Sequence, residues 1–314
     1  MTLEFEIINR YFKKNTNVPL GIGDDAALIN KNKREFWAIS QDTLNNDTHF
    51  SSDTPPVELG WKALAVNVSD IYAMGGKPNY ALLSISLNQH NEKWLKGFSQ
   101  GLHACAKKYG VEIIGGDTTR GATSISITII GSVFKKNVLK RDAAKVEDDI
   151  WVTGKIGLAA IGLDCVKKKI AMKDGLKKTF IEYLNKPQPS NIYSLQAKKL
   201  FHSAIDISDG LIADLSHILK SSGVSAEIFS NQLPVHPWTK KNEAYHYALY
   251  GGDDYQLILT AAQKNRSQIE LLAKQEKIKL TCIGKITNGK KLKVFDTHGI
   301  PLKNLNKGFL HFDK

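Results

Sequence analysis

Four aspartate clusters recur along the chain, each beside glycine or at the end of an apolar run. They constrain the fold more than any other feature. They are Gly21–Asp25 (GIGDD), Gly115–Asp117 (GGD), Asp206–Gly210 (DISDG) and Gly251–Asp254 (GGDD). The chain has 19 Asp against 12 Glu. Asp is the short, stiff carboxylate suited to helix caps, tight turns and hard cations. The chain must therefore fold so that strand or helix ends repeatedly meet a polar turn, and the question is which of these aspartates cap and which bind.

Hydrophobic periodicity supplies the elements between these turns. It predicts helices over 4–14, 57–74, 91–109, from about 156, 174–184, 191–202, 209–220, 241–249 and 264–275. It predicts strands over 26–29, 36–40, 80–87, 111–115, 124–130, 150–153, 204–208, 226–229 and 255–260, and near 279–286 and 291–295. The polar, charged stretch 136–150 (KKNVLKRDAAKVEDD) reads as a boundary between an N-terminal domain, 1–140, and a C-terminal domain, 148–314. Strands and helices mix in both halves without a steady βαβ rhythm. The expected class is thus a two-domain α/β (α+β) fold, with an N-terminal mixed sheet packed on helices and a C-terminal α+β domain.

Several function classes fall away. No apolar run approaches the roughly 20 residues that span a bilayer. The N-terminus lacks the apolar core of a signal peptide, so the protein is read as cytoplasmic with no membrane partner. The three cysteines, Cys105, Cys165 and Cys282, are far apart and form no CxxC pair, which argues for reduced thiols. A net charge of +12 would suit nucleic acid, but the lysines are scattered in pairs and triples, and a solvated surface is the expected reading. The nine histidines are dispersed, and no HExxH, Walker A or protein-kinase signature is present.

The motifs carry alternatives when taken singly. Gly21–Ala26 matches GxGxxA, but a strand follows where the dinucleotide fingerprint needs a helix. An Asx turn explains it, and so does a turn that presents Asp24 and Asp25 to Mg²⁺. Asp42 stands at the end of the strand predicted over 36–40. Asn67 and Asp70, three apart on an otherwise apolar helix, share a face, and a carboxylate there needs a partner or a metal. The Gly115–Gly121 segment (GGDTTRG) reads as a glycine-rich loop between two strands. At Asp206–Gly210, Ser208 or Asp209 is a natural N-cap, whereas Asp206 is not needed for capping. Together the clusters suggest a hard-metal phosphate site built from carboxylates, without a P-loop.

The ordered set GIGDDAA, Asp42 to Phe50, Trp61–Asp70 (WKALAVNVSD), Ile114–Gly121, Ala204–Leu211 and Gly251–Tyr255 resembles the thiamine-monophosphate kinases, within the aminoimidazole ribonucleotide synthetase-like superfamily. The resemblance runs from about residue 4 to 312. It implies phosphorylation of thiamine monophosphate by ATP to give thiamine diphosphate, in a homodimer whose N-terminal domain binds ATP and dimerises. It implies metal positions at Asp25, Ser40, Gln41, Asp42, Asp70, Asp117, Asp206 and Asp209, and ATP contacts at Gly116, Asp117, Arg141 and Ser208. It also implies substrate contacts at His49, Asp253 and Phe309, and catalytic roles for Asp209 and Arg141 beside Mg²⁺. This chain departs from the family pattern at Gln41, where Thr is usual, at Asp253, where Glu is expected, and at Gln256, which replaces an acid.

Overall fold

In the computed structural model, two sheets are joined through one buried helix, and residues 3–14, 16–289, 291–303 and 305 are described. After α1 (Leu3–Ile7) and a π-helical turn over Ile8–Phe12, the first sheet is built from β1 (Ala27–Asn30), β2 (Glu35–Asn45), β3 (Lys77–Leu87), β4 (Glu112–Arg120) and β5 (Ser124–Phe134), in the order β1-β2-β5-β3-β4. All its pairings are antiparallel except β3 with β4, which is parallel. Helices α2 (Pro56–Ala73) and α3 (Glu92–Tyr109) pack against each other beside it. The second sheet holds β6 (Asp148–Thr153), β7 (Ser203–Asp206), β8 (Ser225–Phe229), β9 (Leu257–Ala262), β10 (Leu280–Thr287) and β11 (Lys293–Phe295), in the order β11-β8-β10-β6-β9-β7. Around it lie α4 (Leu158–Val166), α5 (Asp174–Asn185), α6 (Tyr193–Gln196), α7 (Leu211–Ser222), α8 (Pro237–Lys241), α9 (His246–Tyr250) and α10 (Arg266–Gln275).

Helix α2 explains how the two sheets meet. Pro56 at its first turn favours helix entry, and every residue from Leu59 to Ala73 is buried. A helix apolar all round must be covered on all sides. One side lies on β2 and β5, another on α3, and the rest meets β7, β9 and α5 of the second half. Trp61 donates its indole N–H to the Pro187 carbonyl at 2.8 Å, and Asn185 donates to the Glu58 carboxylate at 2.8 Å. The largest core cluster accordingly mixes α2 residues such as Leu64 and Ile71 with Leu257 and Leu259 of β9. The opposite face of the second sheet packs on α7 in a separate core containing Ile205, Leu215 and Ile258.

Four elements differ from the periodicity reading, one of them the helix expected over 241–249, which is two short helices, α8 and α9, with 242–245 between them. Strand β2 continues to Asn45, pairing residue for residue with β5, so Asp42 lies inside the strand and not at its end. The Gly115–Arg120 segment is no loop. It completes β4 in parallel register with β3, and glycine is needed there because a Cβ on Gly116, at φ +146°, would lie 1.7 Å from the Leu83 carbonyl oxygen. The helix expected over 191–202 shrinks to the single turn α6, and the chain leaves it through Lys199, whose φ of +55° is incompatible with a continuing right-handed helix.

Candidate functional site

The two sheets and α2 bring three aspartates from distant parts of the chain to one point. Asp25 sits in the turn before β1, Asp70 in the last turn of α2, and Asp206 at the C-terminal end of β7. Each offers a carboxylate oxygen within 4.8 Å of the other two, and all three are buried. Such a trio is unfavourable by itself, because burial and like charge both disfavour the ionised form. Burial, then the charges of Asp42, Asp206 and Asp25, push the Asp70 carboxyl well above its ordinary range. Burial, then Asp25, do the same to Asp206. Asp70 also lies at the C-terminal, partially negative end of α2, where a carboxylate gains nothing from the helix dipole.

The neighbouring side chains answer part of this charge. Arg141 donates from Nη2 to Asp25 Oδ1 at 2.6 Å, and its backbone N–H donates to Asp24 Oδ2 at 3.2 Å. The side chains of Ser40 and Ser69 partly offset the rise at Asp70 and Asp206 respectively, and Ser69 Oγ donates to the Tyr255 carbonyl at 3.5 Å. Asn67, wholly buried one turn before Asp70, accepts the backbone N–H of Asp42 at 3.0 Å and donates to the Ala63 carbonyl at 3.0 Å. It thereby fixes the stretch of β2 that carries Ser40 and Asp42 against α2. Asp25 Oδ2 remains buried without a hydrogen-bond partner among the described residues. Three buried carboxylates with oxygens within 4.8 Å of one another, one of them leaving an oxygen unpartnered, offer the oxygen donors that a hard divalent cation takes, so the donor set fits Mg²⁺.

The remaining expected residues are placed as follows. Alternation along β2 turns Gln41 to the other face, where it accepts a hydrogen bond from Thr128 at 2.6 Å, so its side chain does not join the cluster. Gly116 and Asp117 lie on β4, the exposed outer edge of the first sheet. With β5 and β3 between β4 and β2, they stand about 14 Å from the strand of Asp42 at the usual spacing. Ser208 and Asp209 follow Asp206 on one turn. Neither is the N-cap of α7: that position is Gly210, and the capping carboxylate comes from inside the helix. Asp214 Oδ2 accepts the backbone N–H groups of Ser208, Asp209 and Gly210, each at 3.1 Å. His49 and Asp253 come from different halves but meet near Lys62. Phe309 lies outside the described residues. Gln256 is buried, accepting from Thr153 and Ser190 and donating to the Gln188 carbonyl, so an amide there serves packing.

The charge pattern predicts a pH dependence. Burial, reinforced by the Asp25 charge, lifts Asp24 to about 6. A carboxyl whose pKa is raised on folding stabilises the native state while it stays protonated, and that contribution is lost as pH rises through the folded value. The metal-free protein should therefore lose stability between about pH 4 and pH 7. Mg²⁺ affinity, in competition with protons, should rise across the same range. Thermal melts with EDTA and with Mg²⁺ between about pH 4 and 7 check both slopes.

The sequence matches two family models, the AIR synthase related protein N-terminal domain over residues 23–133 and the corresponding C-terminal domain over residues 145–297. It is 41% identical, over 99% of both chains, to thiamine-monophosphate kinase of Buchnera aphidicola subsp. Acyrthosiphon pisum. Among solved structures, thiamine-monophosphate kinase from Stenotrophomonas maltophilia superposes with a TM-score of 0.80 at 37% identity, covering 96% of this chain and 98% of that one. AaThiL, solved in complex with AMPPCP and TMP, superposes with a TM-score of 0.83 at 28% identity, covering 98% of this chain and 96% of that one.

Proposed function

This chain belongs to the thiamine-monophosphate kinase family, and from that premise we propose that it transfers the γ-phosphoryl group of ATP to thiamine monophosphate at aspartate-bound Mg²⁺. The observation that carries the reading is the buried trio Asp25, Asp70 and Asp206, with its orphaned oxygen. The AMPPCP and TMP held by AaThiL, read as an ATP analogue and thiamine monophosphate, support the substrate pair. The trio, with Ser40 and Asp42 beside it and Asp209 on the adjoining turn, would hold the cations. Bound there, Mg²⁺ screens the approach of two phosphates and stabilises charge on the transferring group.

The protein's own part is positioning and electrostatics. In an in-line transfer, a terminal oxygen of thiamine monophosphate attacks the γ-phosphorus while the bond to the β–γ bridging oxygen breaks, leaving ADP. The attacking oxygen is already ionised at neutral pH, so no side chain need act as base. Arg141, held against Asp25 through Nη2, would supply fixed positive charge beside the transferring phosphate. His49 and Asp253 would face the thiamine moiety. Gly116 and Asp117 belong to an exposed edge strand, which presents unpaired backbone groups to a second copy. We read the protein as a homodimer in which that edge is covered. Among the described residues no helix is long and apolar enough to cross a membrane, and the reading carries a cytoplasmic location.

Incubation with ATP, Mg²⁺ and thiamine monophosphate should yield thiamine diphosphate and ADP, separable by chromatography. Product should vanish with EDTA and return with excess Mg²⁺. Asp209→Ala should lower kcat about a hundredfold or more. Absence of product from the wild-type protein, with Mg²⁺-dependent ATP binding intact, would move the substrate assignment elsewhere in the superfamily.

A further inference from the structure

Lys62 lies in the middle of α2 and is only 2% exposed, one of the most deeply buried side chains of its size in the molecule. A buried ammonium needs partners, since leaving it unpaired out of water is costly. Its Nζ donates to Asp253 Oδ2 at 3.0 Å and to the His49 carbonyl oxygen at 3.4 Å. These partners lie on two separate segments, one from each half of the chain.

The Asp253 segment is itself held under tension. Asp253 has φ +68° and Tyr255 φ +48°, two non-glycine residues in left-handed conformation within three positions. Such conformations persist only where surrounding contacts over-determine them, and they concentrate at functional sites. Here the contacts are explicit. Asp253 N–H donates to the Ser208 carbonyl at 2.9 Å, and Tyr255 N–H to the Ile207 carbonyl at 2.8 Å. The Tyr255 hydroxyl donates to Asp253 Oδ1 at 3.1 Å, leaving Oδ2 to Lys62. The carboxylate is thus gripped at both oxygens while its side chain stays about one-third exposed to solvent. The His49 loop is fixed in parallel, with the Asn45 N–H donating to His49 Nδ1 at 3.0 Å.

We propose that Lys62 is a positioning residue for thiamine monophosphate, setting the Asp253 carboxylate and the His49 loop at their mutual distance across the two halves. This rests on the reading that His49 and Asp253 face that substrate. Because Lys62 neutralises Asp253, the pair contributes orientation and hydrogen-bond acceptance toward the cationic substrate more than net negative charge. Lys62 stands eight residues before Asp70 on α2, roughly 12 Å along the helix from the carboxylate cluster, so its effect should fall on thiamine monophosphate and not on ATP.

The test compares steady-state kinetics of wild type, Lys62→Met, Asp253→Asn and the double variant. Methionine keeps the buried volume, and the partly exposed Asp253 can then be solvated, so the fold should survive. Lys62→Met should raise KM for thiamine monophosphate about 10- to 100-fold, the scale of a charge-assisted hydrogen bond, with KM for ATP nearly unchanged. Asp253→Asn, whose side chain is partly exposed, should show the same selective rise. The double variant should be no worse than the worse single one, because Lys62 acts through Asp253. Thiamine diphosphate formation with an unchanged KM in Lys62→Met, equal rises for both substrates, or additive losses in the double variant would overturn the inference and leave the function standing. If Lys62→Met fails to fold, an Asp253→Asn protein with unaltered KM for thiamine monophosphate overturns it as well. No thiamine diphosphate from the wild type would overturn both.

Discussion

Asp70→Asn should make the metal-free protein more resistant to heat while nearly abolishing its activity. The first effect follows from burial and then from the charges of Asp42, Asp206 and Asp25, which together push the Asp70 carboxyl well above its ordinary range. The amide carries no charge and needs no proton, so the variant avoids the cost, at neutral pH, of either protonating Asp70 or holding it ionised beside Asp25 and Asp206. The second effect follows from losing an oxygen ligand at the centre of the trio, with an expected fall in kcat of about a thousandfold. Saturating Mg²⁺, at roughly 100 times its Kd, should stabilise the wild type by about 2.7 kcal/mol, a few degrees of melting temperature, and should shift the variant far less. Calorimetry with EDTA and then with Mg²⁺ reads both sides. A metal-free variant that melts below the wild type would mean that the trio is not strained in the absence of a cation.

Asp214→Ala carries the largest expected loss of stability. One buried carboxylate oxygen accepts three consecutive backbone N–H groups, and alanine would leave all three without an acceptor in a half-buried turn. At about 1–3 kcal/mol for each unsatisfied buried donor, the variant should lose about 3 kcal/mol or more, along with the shape of the turn that carries Ser208 and Asp209. Burial, then the charges of Asp209 and Asp206, push the Asp214 carboxyl well above its usual range, so a neutral group already suits the site. Asp214→Asn should therefore be much milder, since its amide oxygen can still accept the three bonds. Urea unfolding of the three proteins gives the order, and a collapse in the asparagine variant equal to that in alanine would refute it.

These two residues mark where reading the sequence succeeds and where it stops. Asp70 is legible because a lone carboxylate among Ala63, Leu64, Val66, Val68 and Ile71 demands a reason. Asn67 on the same face is legible by the same three-residue spacing. Asp25 and Asp206 stand out beside glycine or at a strand end. Asp214 is not legible, because a carboxylate in the first turn of an amphipathic helix looks like an ordinary favourable charge, and only the folded turn shows it reaching back. Lys62 is hidden for a related reason. In a sequence it reads as a side chain reaching to solvent, and its burial depends on the turn at Asp253, almost two hundred residues away. The extent of β2 was half legible: residues 41–45 (QDTLN) carry only Leu44 as an apolar residue, and the strand shows only where β5 pairs alongside. The glycines of β4 suggest a loop by composition, and only the close approach of Leu83 shows that extended backbone requires them.

The burial of α2 on every side has a consequence for descent as well as for stability. Its surface is matched to the first sheet, to α3 and to β9 at once, through Trp61, Lys62 and the apolar residues that share a core with Leu257 and Leu259. A change on β9 alters the fit of a helix encoded two hundred residues earlier. Neither half is thus free to drift alone, and a chimaera joining this N-terminal half to a distant relative's C-terminal half would inherit a mismatched joint. The two halves are bound to evolve as one heritable unit.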